Sequence, residues 1–147
     1  TLNERREALT LARQTLAQAN AALAERFSPR LVREASEIFS ELTGGRYARV
    51  QISRQMELEA GQPDAAMRRS LFLSGGTADE LYLSVRLAVC RLLLPEDAPL
   101  LLDDALVMFD DDRLRLALRL LQREAANRQI LLFTCQHREQ KTLTTDL

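Results

Sequence analysis

The hydrophobic pattern at the start of the chain repeats every seven residues. Leu2, Leu9, Leu16 and Leu23 recur at this interval, and most positions between them are charged, amide or alanine residues. A narrow stripe of this kind predicts the end of a coiled coil over residues 1–27, and its length implies a partner helix. A surface helix with a ridge of leucines is the alternative interpretation.

A second helix is predicted from Ser28-Pro29 to Gly44. Serine can cap free amides, proline is tolerated in the first turn of a helix, and glycine commonly ends one. The apolar residues within this segment fall on one face: Leu31, Val32, Ala35, Ile38, Phe39 and Leu42.

A change of period follows this helix. From Arg46 to Glu59 apolar and polar residues alternate, which predicts a half-buried strand, or a hairpin that turns near Arg54. Residues 61–69, which include Pro63-Asp64, are predicted to form a loop.

The second half of the chain alternates helical and strand patterns. Residues 78–94 predict a long, largely apolar helix that Pro95 ends, and a further helix is predicted from the aspartates at 110–112 to about Ala126. Short apolar runs at 99–102 and 129–134 flank that second helix. This order predicts a βαβ crossover in a parallel sheet covered by helices, and therefore an α/β fold.

The composition of the chain restricts the class of protein to which it can belong. The chain has 147 residues, 46% of them hydrophobic, and a formal charge of −1, which indicates one core and no broad basic field for nucleic acid. Cys90 and Cys135 lie in apolar runs without metal-ligand spacing and are predicted to be buried thiols in a reducing compartment. No apolar run is long enough for a membrane span, so a cytoplasmic protein is expected. Because the chain begins within a helical pattern, it is expected to be part of a longer protein.

Polar residues are predicted to converge where the strands end. Ligands of doubly wound sheets bind at the carboxyl ends of the strands, and Asp103-Asp104 and Gln136-His137 each follow an apolar strand. Ser74 and two glycines at a helix start offer a hydroxyl, free amides and the positive end of a helix dipole, which suit a phosphate. A capped turn is the alternative for this segment.

The aspartates and the histidine each have two interpretations. Asp103 and Asp104 could hold Mg²⁺ and orient an attacking water, or could cap neighbouring amides. The run at 110–112 is predicted to cap the next helix. His137 is the only histidine, and either a surface role or a functional one fits its position after a strand.

Taken together, four segments resemble a known family. "ELTGGRYARV", "LSGGTADELYLSVRLAV", "PLLLDDALVMFDDDR" and "ILLFTCQH" are similar to the C-terminal half of an ABC-type ATPase head, in the coiled-coil group that includes SMC, RecN, SbcC-like and YhaN-like proteins. The resemblance implies an α/β fold of the P-loop NTPase type, with a parallel sheet flanked by helices. It further implies a coiled-coil end at 1–27 and the C-terminal lobe of the head at 28–147.

The resemblance also implies a role for each motif. Leu73, Ser74, Gly75 and Gly76 match the signature, which contacts the γ-phosphate of ATP held by the opposite head of a sandwich dimer. Asp103 matches the Walker B aspartate associated with Mg²⁺, and Asp104 stands where the family usually has a catalytic glutamate. Asp110 matches the D-loop aspartate, and His137 the switch histidine. Thr77 replaces a commoner glutamine or glutamate, a change expected to matter little.

One motif of the family is missing. A P-loop requires G-x-x-x-x-G-K-S/T, yet the only lysine is Lys141, which follows Gln140. ATP and Mg²⁺ are therefore expected to bind only with an N-terminal Walker A lobe, and the chain alone is expected to be inactive. The expected partners are that lobe, a second head and, through the full-length protein, DNA, with no membrane.

Two functions remain open at this point. The first is ATP-driven head dimerisation with hydrolysis, in DNA repair or chromosome maintenance. The second is a non-hydrolysing dimerisation or interaction module, because Asp104 is one methylene shorter than glutamate and a misplacement of about 1 Å can cost on the order of a hundredfold in rate. An α/β domain with accidental motifs is a third interpretation.

Overall fold

The first helix is longer than the pattern predicts. The structure, a computed structural model, describes residues 2–53 and 57–145, with residues 20–27 described by their backbone alone. Helix α1 spans Leu2–Leu42 and contains Pro29. The predicted helix start at Ser28-Pro29 is therefore wrong. A proline removes one backbone donor from the helical ladder, and a helix can continue through it when the flanking turns are otherwise satisfied.

The chain divides into two compact units, Thr1–Arg30 and Leu31–Leu147. In the first unit Leu2, Leu9 and Leu16 are exposed, whereas the side chain of Leu23 lies outside the described residues. The coiled coil over residues 1–27 stays a prediction. In the second unit the predicted apolar face of α1 is confirmed, because nearly all its members are buried: Leu31, Ala35, Ile38, Phe39 and Leu42.

The alternating segment forms a hairpin. Strands β1 (Arg49–Ile52) and β2 (Leu58–Gly61) pair antiparallel, with Val50 opposite Ala60. Both of these residues are buried. The turn predicted near Arg54 lies outside the described residues. A two-residue strand β3 (Arg68–Arg69) pairs with β2 inside the predicted loop, where two exposed arginines gave no periodic signal.

The predicted crossover is confirmed in the second half of the chain. A 3-10 helix (Ser70–Phe72) leads into α2 (Gly75–Leu93), followed by β4 (Leu100–Asp103), α3 (Asp111–Glu124), β5 (Ile130–Phe133) and α4 (Arg138–Thr145). Strands β4 and β5 are parallel, in a register that runs from Leu100 opposite Ile130 to Asp103 opposite Phe133. Helix α4 was not predicted, because its sequence is polar and carries little periodicity.

One face of the parallel sheet is exposed. Leu101 lies opposite Leu131, and Phe133 is two residues further along the same strand, so the three side chains share a face. All three are exposed, and Leu101 retains 65% of its accessible surface. Parallel strands are ordinarily covered on both faces. Among the described residues, no helix combines the length and apolar character of a membrane span.

Candidate functional site

Helix α2 begins without the usual side-chain cap. Ser74 is the N-cap residue in extended conformation, and its carbonyl accepts a hydrogen bond from the Ala78 amide at 2.8 Å. The Ser74 hydroxyl makes no capping bond and instead donates to Thr77 Oγ1 at 2.9 Å. Capped-turn chemistry therefore does not explain Ser74. Its hydroxyl leaves the first amides of α2 to other acceptors.

Gly76 lets α2 pack closely against the segment after β4. We call residues 105–110 the D-loop, after the family motif whose aspartate Asp110 is predicted to match. A Cβ added to Gly76 would lie 3.1 Å from the Met108 carbonyl oxygen and 2.7 Å from Arg113 Nη1, whereas one on Gly75 would lie 3.6 Å from Met108 Cε. The arginine tip can move, but the backbone carbonyl cannot move as easily. A side chain at position 76 would therefore have to push this backbone away by a few tenths of an ångström, which favours glycine.

Arg113 on α3 joins the start of α2 to the end of the D-loop. Its Nη2 donates to Thr77 Oγ1 at 3.2 Å, and its Nη1 donates to Asp110 Oδ2 at 2.9 Å. Its Nε lies 3.2 Å from Glu80 Oε1 in a buried ion pair that lacks hydrogen-bond geometry. Thr77 is buried between two of these groups, so the expectation that this residue matters little is not supported by its contacts.

Glu80 is a buried carboxyl on α2 that the sequence did not single out. Its side chain is fully buried. Burial raises its pKa from 4.5 to about 7, although the neighbouring charges of Arg113 and Arg46 act in the opposite direction. Desolvation of the carboxylate therefore outweighs the attraction of its ion-pair partner.

Asp110 caps α3, as predicted for this run of aspartates. Its Oδ1 accepts from the Arg113 amide at 2.9 Å. This hydrogen bond is the largest cause of a pKa for Asp110 that lies below its usual value, with the Arg113 charge also lowering it. Asp110 is thus held ionised at the junction of the D-loop and α3.

The two aspartates at the end of β4 differ in their surroundings. Asp103 is exposed, and within the described ranges 2–53 and 57–145 its side chain makes no hydrogen bond. Asp104 has a positive φ of 48°, donates its amide to the Phe133 carbonyl at 2.9 Å and accepts at Oδ1 from the Cys135 amide at 3.1 Å. The Asp104 carboxylate therefore ties the end of β4 to the residues after β5.

Cys135 is exposed, so its predicted burial is wrong, and Cys90 is only half-buried. The reason is that β5 ends at Phe133, which leaves Cys135 in the following turn. Both thiols are free. A hydrogen bond to Asp104 and the negative charge of that residue raise the pKa of the Cys135 thiol, which keeps it protonated.

Replacing Asp104 by Asn is expected to speed alkylation of Cys135. The substitution removes the negative charge that raises the thiol pKa, while the amide oxygen can still accept from the Cys135 amide. In a Cys90→Ser background we expect iodoacetamide labelling at pH 8 to become about two- to fivefold faster. Asp103→Asn is the matched control, since Asp103 does not contact the thiol. Equal rates in both variants would contradict the proposed Asp104–Cys135 interaction.

His137 lies in the turn that leads into α4. Its carbonyl accepts from the Lys141 amide at 3.1 Å, and its exposed imidazole makes no hydrogen bond within the part of the chain that the structure describes. The next residue, Arg138, reaches back to the D-loop and donates to the carbonyls of Leu106, Val107 and Phe109. Sequence reasoning missed Arg138 because these partners are 29 to 32 residues away.

The carboxylates of β4 fit a magnesium ion in type and number. Mg²⁺ in phosphate sites is ordinarily held by one or two protein carboxylates, with waters and phosphate oxygens completing its shell. Asp103 presents an exposed carboxylate, and Asp104 presents a carboxylate whose Oδ1 accepts from the Cys135 amide. Among the described residues there is no group of three metal-ligating side chains, so the remaining oxygens would come from elsewhere.

The contacts connect some of the predicted site residues directly. Gly75 and Gly76 lie against the D-loop, Asp110 is joined to α2 through Arg113, and Asp104 is joined to the turn after β5. Asp103 directly precedes Asp104, and His137 lies two residues after Cys135. Their side chains are therefore near this junction only because the backbone places them there. The arrangement is a set of strand and helix ends held together around the D-loop.

Comparison with known proteins gives one relative in sequence. No protein-family model matches the chain. YhaN of Bacillus subtilis (strain 168) is 36% identical over 110 residues, which cover 73% of this chain and 11% of YhaN. The chain thus spans about a tenth of the length of this relative.

Solved structures of SMC head domains share the fold. An SMC head bound to the C-terminal winged-helix domain of ScpA has a TM-score of 0.69 at 20% identity, with 85% of this chain and 40% of that chain covered. A structure from work on ATP-driven dimerisation and DNA-stimulated activation of SMC ATPases gives 0.68 at 19% identity, with 82% and 75% covered. The SMC head domain of Thermotoga maritima gives 0.62 at 17% identity, with 84% and 44% covered.

Proposed function

Since this chain has the fold of the C-terminal part of an SMC-type ATPase head and is YhaN-like in sequence, we propose that it supplies one half of an ATP site. In this proposal Leu73 to Gly76 bind the γ-phosphate of an ATP held by an opposite head. Asp103 is the magnesium ligand, Asp104 orients the attacking water and His137 contacts the γ-phosphate. Asp110 communicates across the dimer.

The start of α2 is the observation that carries the proposal. The Ser74 hydroxyl does not cap the helix, and Gly76 allows the D-loop backbone to lie against the first turn. Free helix amides, a nearby hydroxyl and the positive end of the helix dipole are the groups that bind a phosphate. Arg113 and Asp110 then join this phosphate contact to the D-loop.

The end of β4 supports the catalytic half of the proposal. When bound, magnesium would neutralise charge on the transferred phosphoryl group. Asp104 Oδ1 is held by the Cys135 amide at 3.1 Å. A carboxylate fixed at one oxygen has little freedom to rotate, and this favours a defined water position.

The exposed face of the parallel sheet supports a further lobe in the proposed head. The chain has no P-loop sequence, so ATP would be held by another part of the head. Leu101, Leu131 and Phe133 leave one face of the parallel sheet uncovered, and such faces are ordinarily buried by further elements. We propose that an N-terminal lobe covers it, and that the complete head acts in DNA repair or chromosome maintenance.

The test is to join this chain to a P-loop lobe as a complete head and add Mg-ATP. Dimerisation and phosphate release are measured together, by light scattering and a phosphate assay. Ser74→Arg is expected to lower ATP-dependent dimerisation at least about tenfold, because its side chain would fill the phosphate position. Thr144→Arg, an exposed residue on α4, is the control and should dimerise normally. Normal dimerisation of Ser74→Arg would remove Ser74 from its proposed role.

The second candidate is a module that dimerises without hydrolysis. The specific observation in its favour is that Asp104 is short and already accepts a backbone hydrogen bond, which limits its reach. Dimerisation on Mg-ATP without phosphate release in the wild-type head would favour this module over an ATPase.

A further inference from the structure

The D-loop is held by a guanidinium from a distant part of the chain. Arg138 Nη1 donates to the Phe109 carbonyl at 2.5 Å, and Nη2 donates to the carbonyls of Leu106 and Val107, both at 3.1 Å. The planar guanidinium of arginine holds several N–H donors in a fixed arrangement, and this arrangement fits three carbonyl acceptors within one turn. The ammonium group of lysine cannot reproduce it. The three carbonyl oxygens of this turn therefore all face the guanidinium of Arg138.

Arg138 itself is kept in place by carboxylates. Glu139 is buried, its Oε1 lies 3.7 Å from Arg138 Nε, and neither of its carboxylate oxygens has a hydrogen bond. Asp111 Oδ1, on the exposed side, lies 3.9 Å from Arg138 Nη1. These distances are too long for strong hydrogen bonds but short enough for attraction between charges. The guanidinium is therefore attracted by carboxylates on two sides while it donates to the D-loop carbonyls.

Arg138 connects the D-loop to the turn that contains His137. Arg138 directly follows His137 and begins α4, so a movement of His137 moves Arg138 with it. At its other end the D-loop finishes at Asp110, which Arg113 joins to Thr77 on α2. A continuous set of contacts therefore runs from the His137 turn, through Arg138 and the D-loop, to the start of α2.

We propose that Arg138 is a positioning residue that fixes the D-loop relative to His137 and so couples the two phosphate-facing segments. The coupling to catalysis rests on the function proposed above. Arg138 does not touch the reacting groups. It acts by holding the carbonyls of the 106–109 turn, and with them the position of Asp110.

The first part of the test uses this chain alone. Arg138→Gln shortens the side chain and removes both the charge and the paired donors of the guanidinium, and it is expected to speed hydrogen exchange of the Phe109 amide about tenfold. Because His137 is the only histidine, its Hδ2 and Hε1 protons give one set of imidazole NMR signals, which should shift in the same variant. Arg138→Lys is expected to give an intermediate result. Arg119→Gln, an exposed arginine on α3, is the control and should change neither quantity.

The second part uses the complete head. Arg138→Gln should lower kcat about tenfold and leave KM for ATP within about twofold, because a misplaced D-loop impairs the reacting geometry and not binding at the P-loop. Partial recovery of kcat in Arg138→Lys would support positioning.

The outcomes separate this proposal from the proposed function. If Arg138→Gln has the same hydrogen-exchange rate and the same kcat as Arg119→Gln, the positioning role of Arg138 is overturned. If hydrogen exchange is faster in Arg138→Gln but kcat is unchanged, the coupling to catalysis is overturned. If the wild-type head releases no phosphate, the proposed ATPase function fails. Faster exchange together with a shifted His137 signal would then still support Arg138 as the residue that positions the D-loop.

Discussion

Replacing Asp104 by Asn is expected to lower ATP turnover of the complete head at least about a hundredfold, because a residue that orients or deprotonates water contributes about 10²- to 10⁴-fold. The change removes the charge that would act on the water. It retains an oxygen that can accept from the Cys135 amide. ATP-dependent dimerisation should persist, since the proposed phosphate contact at Ser74 is untouched. The measurement is steady-state phosphate release, with dimerisation followed in the same samples.

The backbone at Asp104 provides the control for this prediction. Its φ of 48° lies in the left-handed region, where asparagine is tolerated almost as well as aspartate and alanine is strained by about 1 kcal/mol. Asp104→Asn should therefore keep the thermal midpoint of the wild type, whereas Asp104→Ala should lower it. Unchanged turnover in Asp104→Asn would exclude Asp104 as the group that activates water.

Periodicity was sufficient to predict most elements of the second unit, but not β3 or α4. The apolar runs at 99–102 and 129–134 correspond to the parallel strands, and the pattern between them corresponds to α3. These elements bury apolar side chains against one another, and burial of this kind leaves a local pattern in the sequence. The helix start predicted at Ser28-Pro29 was wrong, because it rested on the capping preferences of two residues. The helical turns on either side override such local preferences.

The site could be predicted only in part. The motif residues from Ser74 to His137 were predicted from chemistry and resemblance, and their role in a site stays a prediction, although contacts join several of their segments around the D-loop. The groups that hold those segments together were missed, because Arg113 and Arg138 have partners distant in sequence. Glu80 did leave a signal. It is a charged residue on the face of α2 that also carries buried Thr77 and Ser84, at helical spacing, and a charge on such a face predicts a buried partner.

Replacing Glu80 by Gln is expected to stabilise the chain at pH 8 and to have no effect near pH 4.5. Glutamine resembles the protonated carboxyl, and burial raises the pKa of Glu80 from 4.5 to about 7. At about 1.4 kcal/mol per pH unit, the ionised side chain lowers the free energy of unfolding by up to about 3 kcal/mol. The variant should regain that amount, about a hundredfold in the unfolding equilibrium constant.

The direction of this pH dependence follows from how many protons the folded and unfolded chains bind. Between pH 4.5 and about 7 the folded chain keeps a proton on Glu80 that the unfolded chain has released, so the stability from this group falls as pH rises. It is fully present below pH 4.5 and lost above about 7. Urea unfolding of both proteins at several pH values from 4.5 to 8 measures the difference, in which the other titrating groups cancel.

The matched control is Glu57→Gln. Glu57 also pairs with an arginine, Arg69, but both side chains of that pair are about half exposed. Exposed pairs contribute about 0 to 1 kcal/mol, so this variant should differ little from the wild type at any pH. If Glu80→Gln instead destabilised the chain equally at pH 5 and pH 8, the attraction of Arg113 would outweigh desolvation. Glu80 would then be a stabilising partner of Arg113, and protonation of this carboxyl would loosen the contact between α2 and α3.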